Sequence, residues 1–125
     1  MSKDMKYSKD HVWALKEDNY FKLGLSSIGK EQIGEIVFIE FPKTGQILKK
    51  DDVLCIIESS KSASDILSPL SGEVVAINEQ LQKDIDLINT SSEEKNWICI
   101  IEPSDLSQFD LMLSKDDYEK LRDDN

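Results

Sequence analysis

Residues 58–65, ESSKSASD, set one amine among small hydroxylated side chains, with a carboxylate three positions before it at Glu58 and another four after it at Asp65. The apolar run VLCII precedes this stretch and ILSPLSGEVV follows it, so two strands turn back on each other around Lys61. A lysine at such a bend stays hydrated and accessible, and Ser59, Ser60, Ser62 and Ala63 leave its amine unobstructed. That arrangement suits an amine that a modifying enzyme must find and that must then carry something long. A lysine picked at random reads best as a solvated surface residue. Against that plain reading stand three features together: the seam of a duplicated unit, carboxylates on both flanks, and the Pro69–Gly72 turn. Little else in the chain could do chemistry. His11 is the sole histidine, and Cys55 and Cys99 lie in the apolar runs LCII and ICII, so a zinc site, a Cys-His dyad or a nucleophile and base pair has almost no raw material. The cysteines read as small buried hydrophobes of a reducing compartment.

The elements that must position Lys61 follow from the pattern on either side. His11–Leu15 and Tyr20–Leu25, separated by the polar residues 16–19, suggest a hairpin. Ser26 or Ser27 can cap a short helix that runs to Ile33 and ends at Gly34, although Gly29 sits inside it. After that the chain repeats itself: GEIVFIE at 34–40 is echoed by GEVVAIN at 72–78, and CIIE at 55–58 by CIIE at 99–102. Two copies are too few for a solenoid and more plausibly form two halves of one core about an approximate two-fold, with Lys61 at the seam between them. FPKTGQILKKDDV and the matching EQLQKDIDLI are expected to supply a turn and a short strand in each copy, the second copy having the longer loop around Asn89–Asn96. Short strands with frequent turns argue for two packed antiparallel sheets or a flattened barrel. Near the end, Ser104 can cap a helix over Asp105–Leu113 and Ser114 one over Lys115–Leu121, with Leu106, Phe109, Leu113, Tyr118 and Leu121 as the stripe that docks on the sheets.

Composition narrows the class. The chain has 125 residues, 39% hydrophobic and 32% charged, which fits one soluble globular domain. No apolar run approaches the roughly 18 residues of a membrane span, and no basic-then-apolar signal opens the chain at Met1–Lys6. A cytoplasmic or already processed protein is expected. A net charge of −10 opposes approach to nucleic acid and anionic lipid. Acids gather after Glu102, at Asp105, Asp110, Asp116, Asp117, Glu119, Asp123 and Asp124, and read as a solvated helical surface ahead of a docking tail.

The stretch ESSKSASDILSPLSGEVVAIN resembles the lipoyl-lysine segment of the glycine cleavage system H proteins, whose pattern is E-S-x-K-[AS]-x-S-D followed by P-[LIV]-S-G-E-[VI]. YSKDHVW at 7–13, GLSSIGKEQIGEIVFIEFPKTG at 24–45, NWICII at 96–101 and LSKDDYEKL at 113–121 extend the likeness over nearly the whole chain. The resemblance implies a lipoyl/biotinyl-type barrel-sandwich hybrid, mainly β, with a short helix near 26–33 and C-terminal helices. It implies one lipoyl-carrier domain over 1–125, its helical segment at 104–122. It also implies a non-catalytic, monomeric carrier in glycine catabolism and one-carbon metabolism, with lipoic acid joined to Lys61 as a swinging arm. Its partners would be glycine decarboxylase, aminomethyltransferase, dihydrolipoyl dehydrogenase and a lipoate ligase or lipoyltransferase. By the same analogy Glu58 helps the lipoylating enzyme recognise the hairpin, Asp65 can hold an ammonium on the loaded arm, and Gly72 positions the hairpin base.

The chain departs from the family at several places. It has His11-Val12-Trp13 where the family has H-E-W, and Ser26-Ser27-Ile28-Gly29 where the family has T-D-[YH]-A. SSEEKNW at 91–97 replaces P-Y-G-E-G-W, and Asp51 or Asp52 stands at a family glycine. The loss of a carboxylate at Val12 is expected to weaken shelter for a positively charged arm. Other readings are an H-like relay that passes lipoate to other enzymes, an unmodified structural homologue, and a biotin carrier, the last disfavoured because Ser60 and Ser62 flank Lys61 where methionines are required.

Overall fold

Met5–Tyr7 (β1), Val12–Glu17 (β2) and Tyr20–Leu25 (β3) make an antiparallel meander in which β2 and β3 are the expected hairpin. Asp18 turns it in the left-handed region at φ 56°, where a short polar side chain is tolerated. The computed structural model describes residues 5–90 and 92–123; Met1–Asp4, Ser91, Asp124 and Asn125 lie outside it, and with them the start of the chain, the first residue of SSEEKNW and the last acid of the tail. Ser27–Ile33 (α1) is capped as the sequence predicts: the Ser26 hydroxyl accepts from the Gly29 N–H at 3.0 Å, and Gly34 ends the helix at φ 89°. Gly29 interrupts α1 for a packing reason. A Cβ there would lie 2.6 Å from the Cβ of His11.

The duplicated region is built from short strands. Ile36–Glu40 (β4), Ile47–Leu48 (β5), Val53–Ser59 (β6), Ala63–Leu67 (β7) and Gly72–Ile77 (β8) precede two short helices, Glu79–Lys83 (α2) and Leu87–Thr90 (α3). Trp97–Pro103 (β9), Ser107–Asp110 (α4) and Lys115–Asp123 (α5) complete the chain. The strands form two antiparallel sheets, of order β1-β2-β3-β9-β8-β5 and β4-β6-β7. Each repeat pairs its own opening with its own close, β4 with β6 in the small sheet and β8 with β9 in the large one. Both pairs carry a register shift at the equivalent residue, Val37 in one and Val75 in the other. Ile36, Ile39 and Ile57 from the first copy and Val74, Cys99 and Ile101 from the second join one apolar cluster between the sheets. Ile57 and Ile101 are fully buried, a burial that stabilises by about 1.5–3 kcal/mol for each side chain.

Two expectations about helices need correction. EQLQKDIDLI holds no strand: it forms α2, where the Asn78 side chain accepts from the Leu81 N–H at 3.2 Å, and the start of α3. The helix expected over Asp105–Leu113 shrinks to α4, because Leu113 must straighten to pair with Tyr7 through backbone bonds of 2.7 and 2.8 Å. Asp105, not Ser104, supplies the side chain at its start, accepting from the Ser107 N–H and hydroxyl, which hold its carboxyl below the usual range. Phe109 and Tyr118 of the expected stripe are buried, whereas Leu106 and Leu121 are 60% and 42% exposed. Ser114 does cap α5, accepting from the Asp117 N–H at 3.2 Å. The acids Asp105, Asp110, Asp116 and Asp117 are exposed, as a solvated surface requires.

Both cysteines are free and buried. Burial pushes the Cys55 thiol up, with the nearby Cys99 adding to the shift, and pushes Cys99 up to about 12. Neither is a thiolate at neutral pH, so a colorimetric thiol reagent is expected to titrate no cysteine in the native protein and both after unfolding in guanidinium. Stoichiometric labelling of the native protein would contradict this burial.

Candidate functional site

The sheet β4-β6-β7 ends in the turn that carries Lys61. Glu58 pairs with Ala63 as the last rung, and the Ser59 N–H donates to the Ser62 carbonyl at 2.9 Å. The Ser59 hydroxyl then ties the turn from within: it accepts from the Lys61 N–H at 3.2 Å and the Ser62 N–H at 3.3 Å, and donates to the Ser62 carbonyl at 3.3 Å. Lys61 is exposed at the tip, and its side chain has no part in the ion pairs of the described residues, Lys22–Glu17 and Lys120–Asp117. An amine that is free of a partner and fixed at its backbone is accessible without being wayward. The serines were read only as small neighbours; Ser59 in fact builds the turn.

Strand alternation decides where the flanking acids point. Ile57 and Ile66 face the core, so Glu58 and Asp65 project from the outward face of the sheet, one rung apart. Asp65 also borders a cleft of about 270 Å³ beside the hairpin, with Asp10, His11, Gly29, Gln32 and Ser64 among its lining residues. Among the described residues no group of three His, Cys, Asp or Glu side chains is placed to hold a metal.

His11 enters the cleft from a backbone held at φ 72°, a left-handed conformation that histidine adopts more readily than most residues with a side chain. Its Nδ1 lies 2.6 Å from the Tyr118 hydroxyl of α5, which lies 2.6 Å from the Ser26 hydroxyl. Ser26 also accepts from the Gly29 N–H, so one hydroxyl ties the start of α1 to Tyr118, and Tyr118 in turn to the imidazole. Burial lowers the imidazole pKa, with Asp10 and a hydrogen bond to Gln32 opposing, which favours the neutral ring at neutral pH. Tyr118→Phe keeps the stack on Tyr7, whose ring lies 4.8 Å away and nearly parallel, but leaves the Nδ1 atom and the Ser26 hydroxyl without this partner. Urea unfolding should show a loss of about 1–3 kcal/mol, and the Nδ1 resonance of the single histidine should shift as that atom loses its partner.

The glycine cleavage H-protein family model matches residues 5–125. The chain belongs to that family. It is 39% identical over 119 residues to a glycine cleavage system H protein of Oceanobacillus iheyensis, covering 95% of this chain and 94% of the relative. A relative of the same name from Coprothermobacter proteolyticus is 40% identical over 117 residues, with 93% and 92% covered. In fold the chain is similar to a crystal structure of a glycine cleavage system H protein from Mycobacterium marinum, with a TM-score of 0.87 and 24% identity over 98% of this chain and 99% of that one.

The departures from the H-protein pattern can now be placed. Val12 is fully buried in the main core and is not among the residues that line the cleft, where Asp10 and Asp65 are the bordering carboxylates. Ser26 caps α1, Ile28 is buried against Trp13 and Tyr118, and Gly29 borders the cleft. Within SSEEKNW, Glu93 accepts from the Ser27 N–H at 2.7 Å and the Tyr7 hydroxyl at 3.1 Å, bracing the start of α1. Asp51, at φ 77°, rather than Asp52 takes the place of the glycine, since it holds the left-handed conformation. Gly72 opens β8 opposite Pro103, away from the turn of Lys61. Sequence reasoning missed Tyr118 and undervalued His11, because 107 residues separate them and only the return of α5 to the sheet brings them together.

Proposed function

We propose that this chain is the lipoyl-carrying shuttle of a glycine cleavage system, with lipoate in amide linkage on Lys61. The observation that supports this is an exposed amine on an internally tied turn, beside a cleft bordered by carboxylates, in a chain of H-protein family membership. When bound, the lipoyl group supplies a ring disulfide that takes up the aminomethyl group of glycine at glycine decarboxylase, yields it at aminomethyltransferase and is reoxidised by dihydrolipoyl dehydrogenase. The chain's own residues do simpler work. Lys61 holds the tether, and the tether raises the effective concentration of its load at each enzyme without new contacts. Ser59 fixes the pivot. Glu58 offers a carboxylate to the lipoate ligase or lipoyltransferase, and Asp65 with Asp10 can receive an ammonium entering the cleft. Gly72 lets the start of β8, the strand that follows the hairpin, close on β9. His11 contributes a polar ring to the cleft wall, held there by Tyr118.

In this reading residues 1–125 form one monomeric carrier domain of the cytoplasm and are not themselves catalytic, since the thiols are buried and the single imidazole is engaged by Tyr118. No described helix is long and apolar enough to cross a membrane. The test is reconstitution. After loading with lipoate, intact mass should show one lipoyl adduct, and with glycine decarboxylase the loaded chain should drive exchange of bicarbonate into glycine. A loaded chain that fails this exchange yet donates lipoate to another acceptor would make it a relay.

A further inference from the structure

Two rungs of the small sheet face solvent beside the turn, Phe38–Glu58–Ala63 and Glu40–Ile56–Asp65 across β4, β6 and β7. Because neighbouring strands stand about 4.8 Å apart, the six side chains form a checkerboard in which carboxylates alternate with apolar groups. Phe38 is 50% exposed, Val37 at the bulge is 53% exposed, and Val53 farther along β6 is 41% exposed. Beyond the second rung the face opens into a groove of about 560 Å³ lined by Glu40, Val53 and Ile56 together with the Phe41–Thr44 segment. Glu40, Glu58 and Asp65 are in neither of the ion pairs of the described residues. Single exposed hydrophobes are ordinary, but several gathered on one sheet face and interleaved with acids suit a partner that brings both apolar and basic side chains.

We propose that this face is the docking surface for the enzyme that acylates Lys61, an acyltransferase that meets it with basic side chains set between apolar ones. The inference rests on the lipoyl reading and extends it: Glu58 already had a part there, whereas Phe38, Glu40 and Ile56 did not. Proximity selects this partner. Enzymes that act on the end of the arm work at the length of the tether, but the loading enzyme must close on the Nζ atom itself, and the rung Phe38–Glu58–Ala63 lies directly below the turn. There the unprotonated amine attacks the carbonyl of an activated lipoate, an acyl adenylate made from lipoate and ATP. The C–N bond forms, the nucleotide leaves with the electron pair of the broken C–O bond, and the amine gives up a proton. Unpaired carboxylates on a chain of net charge −10 would steer a basic enzyme surface toward the turn.

The experiment follows adduct formation by time-resolved intact mass, using the full chain, lipoate, ATP and purified lipoate ligase. Phe38→Ser and Glu40→Lys should each lower kcat/KM for loading roughly tenfold or more, with the Glu40→Lys defect shrinking as salt is raised. Leu106→Ser, at an exposed leucine elsewhere, should load at the wild-type rate. Melting curves that match wild type establish that the losses are not unfolding. Samples driven to full loading are then assayed with glycine decarboxylase, and the defect is expected only in loading. Wild-type loading by both variants overturns this assignment and leaves the lipoyl reading intact. An equal defect in exchange by the preloaded variants overturns it in favour of a face shared by the partners. Failure of the unaltered chain to gain any adduct overturns the lipoyl reading and this inference with it.

Discussion

Lys61→Ala yields a chain that stays at its unmodified mass at every ligase concentration and supports only background bicarbonate exchange. The neighbours at 59, 60, 62 and 63 are three serines and an alanine, so no second amine can take over from the same turn. Lys61→Arg should fail as completely: its guanidinium keeps the charge but remains protonated at any practical pH and cannot attack an acyl group. Neither change should move the urea midpoint beyond what about 0.5 kcal/mol would cause, because Lys61 is exposed and the ties of the turn run through Ser59 and Ser62. Activity lost at unchanged stability separates the tether from the scaffold. An adduct retained in Lys61→Ala would place the modification elsewhere and remove the basis of the carrier reading.

Gly72→Ala is expected to fail for the opposite reason. Its added Cβ would lie 2.2 Å from the Glu102 carbonyl oxygen, 2.9 Å from the carbonyl carbon and 3.0 Å from the Cα of Pro103. These are backbone atoms, so no rotamer change relieves the contact and β8 must separate from β9. A loss of about 3 kcal/mol or more in urea unfolding is expected, a large part of the roughly 5–15 kcal/mol that holds an ordinary domain together. Gly34→Ala is the useful contrast. Nothing lies within 4 Å of its hypothetical Cβ, but its φ of 89° and ψ of −152° fall in a region essentially reserved for glycine, so its cost is purely conformational, about 1–3 kcal/mol. If Gly72→Ala unfolds as Gly34→Ala does, the close approach of the two strands is wrong.

Much of this arrangement was legible because local signals agreed with one another. Ser26 and Gly34 bracket α1 as cap and stop, and the apolar runs around 58–65 make the hairpin that the turn residues require. Where signals conflicted, the sequence misled. Leu81, Ile85 and Ile88 recur at helical spacing, and the first and last are buried, yet the analogy with FPKTGQILKKDDV argued for a strand there. Repetition fixed the strands that enter the shared core and left the connections free to differ. The end of the chain posed another problem: 105–113 carries helical spacing, but the backbone pairing of Leu113 with Tyr7 draws it straight, a demand that no nearby residue announces. The core placement of Val12 was hidden for a similar reason, since comparison with H-E-W identifies a substitution without saying which way the side chain faces.

The three hydrogen bonds that the Ser59 hydroxyl makes inside its turn bear on how a chain of this kind is shared under the proposed carrier reading. With the backbone of the turn restrained, motion of a group carried on Lys61 would be concentrated in the torsions of the lysine side chain and whatever extends it, so the reachable volume would be a cap above one end of the molecule. Every client must bring its entrance into that cap, and two cannot occupy it together. Turnover then proceeds by exchange of clients in a queue, and a large excess of any one of them, even without substrate, should slow the whole cycle as a competitive inhibitor of the others.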